Sequence, residues 1–251
     1  MQKHIFVIGD RFAGFAREDG VRTVAQTRVL LSRLSESGGE DTLAVTYGQG
    51  VSDYEHDLII SDVNRLGLVG RVTVHHNPIR LAGRREVHKN CEVNALIGNL
   101  EERDGQFHAD LRIHNDNEFL LDHQTGLHVQ GIVITEAARQ MFLAVGERYL
   151  APSNSEFEYY YVIERMSTTY ENFLFPLASS ITLTPRSQRR DDLSRVSITC
   201  DIELAQAGRR CAVTEVAFTA FAPALIGSKE GRRAEAALAA SRQVLPAASP
   251  V

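Results

Sequence analysis

Between Gly131 and about Tyr149 the sequence reads as one long helix that carries apolar residues on both of its sides. Ile134, Ala137, Ala138, Met141, Phe142 and Val145 form one stripe, while Ile132, Glu136, Arg139, Gln140 and Leu143 fall opposite at about 100° per residue. Such a helix has to be covered on both sides, so it belongs at the centre of a domain. Asn94 to Leu100 and Gln106 to Ile113 read as strands joined at Arg103-Asp104-Gly105, a trio suited to a hairpin turn. Beyond the helix, Tyr159 to Met166, Ser179 to Thr184, Val196 to Ala205 and Cys211 to Phe221 read as further strands, the last two joined by Gln206-Ala207-Gly208. Strands, a helix, then strands is an α+β order.

The first eighty residues have a different rhythm. His4 to Gly9, Leu43 to Tyr47 and Arg71 to His75 are strand-like. Between them, Val24, Thr27, Leu30, Leu31 and Leu34, and then Leu58, Ile59, Val63 and Leu66, recur at helical spacing, with Ser52 or Asp53 as N-cap of the second helix. Alternation of this kind predicts a small α/β unit, β-α-β-α-β with a parallel sheet, over residues 1–80. Gly9 and Gly14 follow its first strand, but Gly9-Asp10-Arg11-Phe12-Ala13-Gly14 lacks the Lys-Ser/Thr pair of a phosphate loop and no G-x-G-x-x-G occurs there, so turn glycines are the better reading. After Ala224 a short helix is expected around Glu230–Leu238, followed by a frayed tail to Val251.

With 43% hydrophobic and 24% charged residues, 251 residues suffice for one or two packed domains. A net charge of -5 argues against a nucleic-acid binder. The apolar run at the amino terminus is too short for a secretory signal, and Gly131 to Val145 is interrupted by charge, so no membrane span is expected and the reading is cytoplasmic. Cys91, Cys200 and Cys211, an odd set without CxxC spacing, read as small, buried, unpaired thiols. His75-His76 is poor ligand spacing, and no metal site is expected among the nine histidines.

One segment is polar where a core should be apolar: Leu121-Asp122-His123, then Leu127-His128-Val129-Gln130-Gly131, then Glu136-Ala137-Ala138-Arg139-Gln140. A carboxylate on a buried helix needs a partner or a raised pKa. His123 and His128 precede the helix, whose amino end offers backbone N–H groups to a carbonyl oxygen. A helical Glu-x-x-Arg-Gln cluster can equally be a structural ion pair.

This segment resembles the hotdog fold, a long central helix wrapped by an antiparallel sheet, with the active site between two such units. Acyl-carrier-protein dehydratases of that fold have a loop histidine, a Pro-Gly helix start, and a helix glutamate followed four residues later by glutamine; His123, Gly131, Glu136 and Gln140 match. Asn172-Phe173-Leu174-Phe175-Pro176-Leu177 and the closing hairpin sit where that fold expects its remaining strands. Within the fold the closer resemblance is to the A-factor biosynthesis (AfsA-type) family, through Val87-His88-Lys89, Asp122-His123, His128-Val129-Gln130-Gly131 and Glu136-Ala137-Ala138-Arg139-Gln140. The resemblance covers residues 86–223, leaving residues 1–80 as an α/β unit of unassigned role and 224–251 as a carboxyl-terminal helix and tail. The chain departs from the family's best-known members in carrying one hotdog repeat rather than two, and in Gln130 where they have proline.

The resemblance implies chemistry on an acyl thioester held by the phosphopantetheine of a carrier protein or by coenzyme A, with no resident cofactor. Most characteristically, a 3-oxoacyl group is condensed with the hydroxyl of a phosphate-bearing alcohol such as dihydroxyacetone phosphate, towards butenolide or butyrolactone signals. On that reading Glu136 or His123 is the base, the backbone N–H near Gly131 the oxyanion donor and Arg139 an orienter or phosphate ligand, with Asp122, His128, Gln140, His88 and Lys89 lining the substrate site. Dehydratase, thioesterase and a non-catalytic acyl-binding module stay open on the same scaffold. A homodimer is expected, because one hotdog would leave the second side of its helix uncovered. Two basic groups, Arg84, Arg85 and Lys89, and Arg186, Arg189, Arg190 and Arg195 in a connecting loop, are candidate docking points for an acidic carrier protein.

Overall fold

The computed structural model describes residues 2–121, 126–150, 159–192 and 194–243. Its first unit is a four-stranded, all-parallel sheet of order β2-β1-β3-β4, with β1 at Gln2–Ile8, β2 at Val21–Thr23, β3 at Thr42–Tyr47 and β4 at Val72–His75. The short β2 adds a strand to the expected pattern. Helices α1 (Val24–Glu36) and α2 (Asp53–Arg65) each begin at a capping box, Thr23 with Gln26 and Ser52 with Glu55, which satisfies first-turn donors reciprocally.

Crossover handedness decides what covers each face of this sheet. The connections β2-α1-β3 and β3-α2-β4 both move in one direction along the sheet, so right-handed crossovers put both helices on one face. There Leu31, Ile59 and Val63 pack on Ile5, Val7 and Val45. The β1–β2 connection moves the other way and lies on the opposite face, where Phe12 and Ala16 join Ile8 and Val21 in the core of the second unit.

The second unit is a six-stranded antiparallel sheet of order β5-β6-β8-β9-β10-β7, built from β5 (Ile97–Arg103), β6 (Gln106–Leu111), β7 (Tyr160–Tyr170), β8 (Ser180–Asp192), β9 (Arg195–Gln206) and β10 (Arg209–Phe221). A single helical turn, α3 (Glu118–Leu121), precedes the long helix α4 (Gly131–Val145), which ends in a π turn at Gly146–Leu150 rather than running on as α-helix to Tyr149. Strict alternation along β9 buries Val196, Ile198, Cys200, Ile202 and Leu204 towards the core that contains Ile134, Ala138, Met141 and Phe142 of α4. The wrapped-helix architecture is therefore as expected.

Several expectations are corrected. The second side of α4 is covered in part within the chain, where Gln140 is fully buried with its amide bonded to Asn94 and Leu96, while Ile132 on the same side stays 48% exposed. Residues 172–177 form a connection between β7 and β8, not a strand, and Asn94 lies in a 3-10 turn at Glu92–Asn94. Arg186, Arg189 and Arg190 lie on β8 and Arg195 on β9 instead of in a loop, because β8 continues well past the apolar pattern that ends at Thr184 and β9 begins at Arg195; Arg186 pairs with Asp201. Cys200 and Cys211 are buried but Cys91 is exposed. Burial pushes the Cys200 thiol up to about 12. The carboxyl-terminal helix α5 spans Pro223–Gln243, far longer than expected, and the residues beyond it lie outside the described ones.

Candidate functional site

Helix α4 starts without a side-chain cap: Gln130 is extended, and the N–H groups of Gly131 and Ile132 precede the first bond of the helix, from Val133 N–H to Gln130 O. Gly131 sits close under β7: a Cβ there would stand 3.0 Å from the Tyr170 hydroxyl and press on that ring. That hydroxyl donates to Gly131 O at 2.9 Å and is 2.8 Å from Thr135 Oγ1, which ties β7 to the helix start.

Glu136 comes next on the helix and is buried at 8% exposure. Arg139 and Gln140, three and four residues on, share its face and meet its carboxylate. Arg139 is bidentate, Nε to Oε2 at 2.9 Å and Nη2 to Oε1 at 3.1 Å, and Gln140 Nε2 donates to Oε1 at 3.0 Å. Lys89 Nζ arrives from outside the helix at 2.7 Å from Oε1 and stands 5.4 Å from the Phe119 ring centroid, a cation over an aromatic face. Burial pushes the Glu136 carboxyl up, but the bonds from Arg139, Lys89 and Gln140 outweigh it and hold the group below its ordinary range. Glu136 is thus a fixed carboxylate between two cations, and the cluster carries one positive charge in excess.

Gln140 also connects this cluster to its frame. It accepts from Leu96 N–H at 2.8 Å and donates to Asn94 O at 2.8 Å. Asn94 Oδ1 in turn accepts from Glu118 N–H at 3.0 Å, and Asn117 donates to Val93 O at 3.2 Å, so residues 93–96 fix both α4 and the start of α3.

Of the residues expected at the site, the fold brings Glu136, Arg139, Gln140 and Lys89 together, with Gly131 about one and a half turns before Glu136 on the same helix. His88 adjoins Lys89 in sequence but turns away: with a left-handed φ of 52° it meets Glu147 Oε1 at 3.0 Å, beyond the end of α4. His128 packs its ring on Phe173, 5.0 Å between centroids. Asp122 and His123 lie outside the described residues. Asn94, Phe119 and Tyr170 were not foreseen. Asn94 stood in an apolar run taken for a strand, and a polar residue at a would-be core position was the available signal.

A cavity of about 370 Å³ lies away from Glu136, between the two units. Among the described residues no cluster of histidine, cysteine and acidic side chains could hold a metal ion, and no helix is long and apolar enough to cross a membrane.

A family model described as the A-factor biosynthesis hotdog domain matches residues 73–222. No curated protein matches the chain. Among solved structures, a thioesterase from Haemophilus influenzae is similar at 14% identity and a TM-score of 0.40, covering 58% of this chain and 93% of its own. A mutant thioesterase from Pseudomonas aeruginosa is similar at 16% identity and a TM-score of 0.38, covering 50% and 81%. A hypothetical thioesterase with coenzyme A from Streptococcus pneumoniae is similar at 16% identity and a TM-score of 0.35, covering 49% and 85%.

Proposed function

We propose that this chain, which belongs to the A-factor biosynthesis hotdog family, moves a 3-oxoacyl group from a carrier-protein or coenzyme A thioester to the hydroxyl of a phosphate-bearing alcohol. The observation that carries the reading is the convergence of Lys89 and Arg139 on the single carboxylate of Glu136. One net positive charge, held rigidly and partly open to solvent, suits a phosphate or a developing oxyanion.

The chemistry requires a base for the alcohol, donors for the oxyanion and an exit for the thiol. The acceptor oxygen attacks the thioester carbonyl while a base takes its proton. The carbonyl oxygen becomes an oxyanion, for which the Gly131 and Ile132 N–H groups at the positive end of α4 are the donors. Collapse expels the pantetheine thiolate, which recovers the proton from the base. A carboxylate held below its ordinary range is a weak base, so we assign Glu136 the task of positioning Lys89 and Arg139 and give the proton to His123, a role that rests on the family resemblance. A second copy belongs to the proposal, seated on the outer edge of β7, where Tyr160, Ile163 and Tyr170 are exposed and no strand pairs among the described residues.

Intact-mass spectrometry of a 3-oxoacyl carrier protein, with and without dihydroxyacetone phosphate, tests the reaction. Loss of the acyl mass only when the phosphate is present is expected, with Arg139→Lys and Glu136→Gln each lowering the rate about tenfold or more. Acyl loss without acceptor would make the protein a thioesterase. Loss of water from a 3-hydroxyacyl carrier protein would make it a dehydratase. Light scattering tests the second copy, and a monomer overturns it.

A further inference from the structure

In open parallel sheets, ligands bind outside the carboxyl ends of the strands, at the point where the strand order reverses. Here that point lies between β1 and β3, and the second unit fills it. Gly9 approaches Gly50 so closely that a Cβ would stand 2.5 Å from the Gly50 carbonyl oxygen, while Gly50 N–H donates to Ile113 O at 2.9 Å and Gln49 N–H to Pro176 O at 2.9 Å. The crevice left open is displaced by one strand, to the carboxyl ends of β3 and β4. That is the cavity of about 370 Å³, floored by apolar side chains such as Val51, Leu81 and Leu111.

Its ring wall is the distinctive feature. His56 and His76 stack at 4.2 Å between centroids, and Tyr47 stands edge-on to both, at 5.4 Å and 5.7 Å. Tyr47 Oη meets His56 Nδ1 at 3.0 Å, which fixes the ring it touches. Burial and the neighbouring His56 push the His76 imidazole down, favouring an uncharged ring. The formal charges on the lining do not make an anion site: Asp53, Glu92 and Asp110 face a single guanidinium, Arg112, whose Nη1 and Nη2 already donate to Ile113 O and Val51 O. Nor do the imidazoles converge as metal ligands.

We infer that this cleft is a second ligand site, for an uncharged planar heteroaromatic molecule of nucleoside size. Its volume lies in the range of small-molecule sites, and a cleft between two units is a usual place for one. The His56–His76–Tyr47 wall supplies stacking surface, and the exposed Asn77 on the lining supplies an amide donor and acceptor for a ring edge or sugar hydroxyl.

Isothermal titration calorimetry on the full chain tests the inference, with adenosine, guanosine, cytidine and uridine as probes and adenosine monophosphate and inorganic phosphate as charged comparators. At least one nucleoside is expected to saturate with a Kd at or below about 1 mM, more tightly than either comparator. His76→Ala, an exposed position, should weaken it about three- to tenfold by removing one ring of the stack. Ala178→Trp, placed on the exposed wall, should abolish it by filling the cleft, with thermal unfolding as the check on folding. Absence of saturable binding by any nucleoside, tighter binding of a comparator, or unchanged binding by both folded variants would each overturn the proposal.

Discussion

Glu136 takes hydrogen bonds from Arg139, Lys89 and Gln140, and its folded-state pKa is depressed below the ordinary 4.5. A depressed carboxylate contributes stability that is present above the unfolded-state pKa and lost as pH falls through the folded one. Wild type is therefore expected to lose stability as pH drops below about 4.5, and Glu136→Gln, with no proton to gain there, should lose less over the same range, the remainder coming from carboxylates such as Asp62 and Glu86 that arginines also hold low. At neutral pH the same substitution should cost about 1–3 kcal/mol, since it leaves Lys89 and Arg139 without their anion in a partly open setting. Urea unfolding of both proteins at pH 7 and at pH 3.5 checks the sign. Gln140 is the more severe case because none of it is exposed. Gln140→Ala strands Leu96 N–H and Asn94 O, removes one of the donors to Glu136 Oε1 and opens a cavity, so about 2–4 kcal/mol should be lost in the same assay.

At the scale of elements, the two tight hairpins differ in how well their residues suit the turn. Asp104 and Gly105, between β5 and β6, have φ of 52° and 77°; Ala207 and Gly208, between β9 and β10, have 51° and 75°. Two positive φ values make a type I′ turn, which Asp-Gly and Asn-Gly adopt readily and Ala-Gly does not. Ala207→Asn is thus expected to raise stability by about 0.5–1 kcal/mol, read as an upward shift in thermal midpoint, without affecting the Glu136 cluster.

For the molecule as a whole, Gln49 is the polar joint between the units. Its side chain is buried: Nε2 donates to Leu111 O at 2.9 Å and Leu177 O at 3.2 Å, while Oε1 accepts from Ile113 N–H at 2.7 Å. Around it, Ile8, Phe12, Ala16 and Val21 of the first unit lie in one apolar cluster with the second unit's core. One cooperative urea transition is expected for the chain, and Gln49→Ala should lower its midpoint by an amount equivalent to about 2–4 kcal/mol. Two separate transitions in the wild type would show that the units fold independently.

The regular elements were legible in the sequence because their causes are local. Hydrophobic period marked α1, α2, α4 and most strands, and Ser52 announced the start of α2 through its own side chain. The grouping of Glu136, Arg139 and Gln140 followed from helical spacing alone. Other features depend on residues far apart in the chain. Lys89 reaches Glu136, while its neighbour His88 goes to Glu147, because a left-handed residue reverses the chain's direction there. Asn94 belongs to the site only because Gln140, 46 residues later, bonds its carbonyl. Gly9 does open a turn, its carbonyl accepting from Phe12 N–H, but its φ of -68° suits other residues, and its close approach to Gly50 is what leaves no room for a side chain. The tertiary structure decides these points because long-range packing chooses which backbone groups and charges meet, and no periodicity in the sequence records that choice.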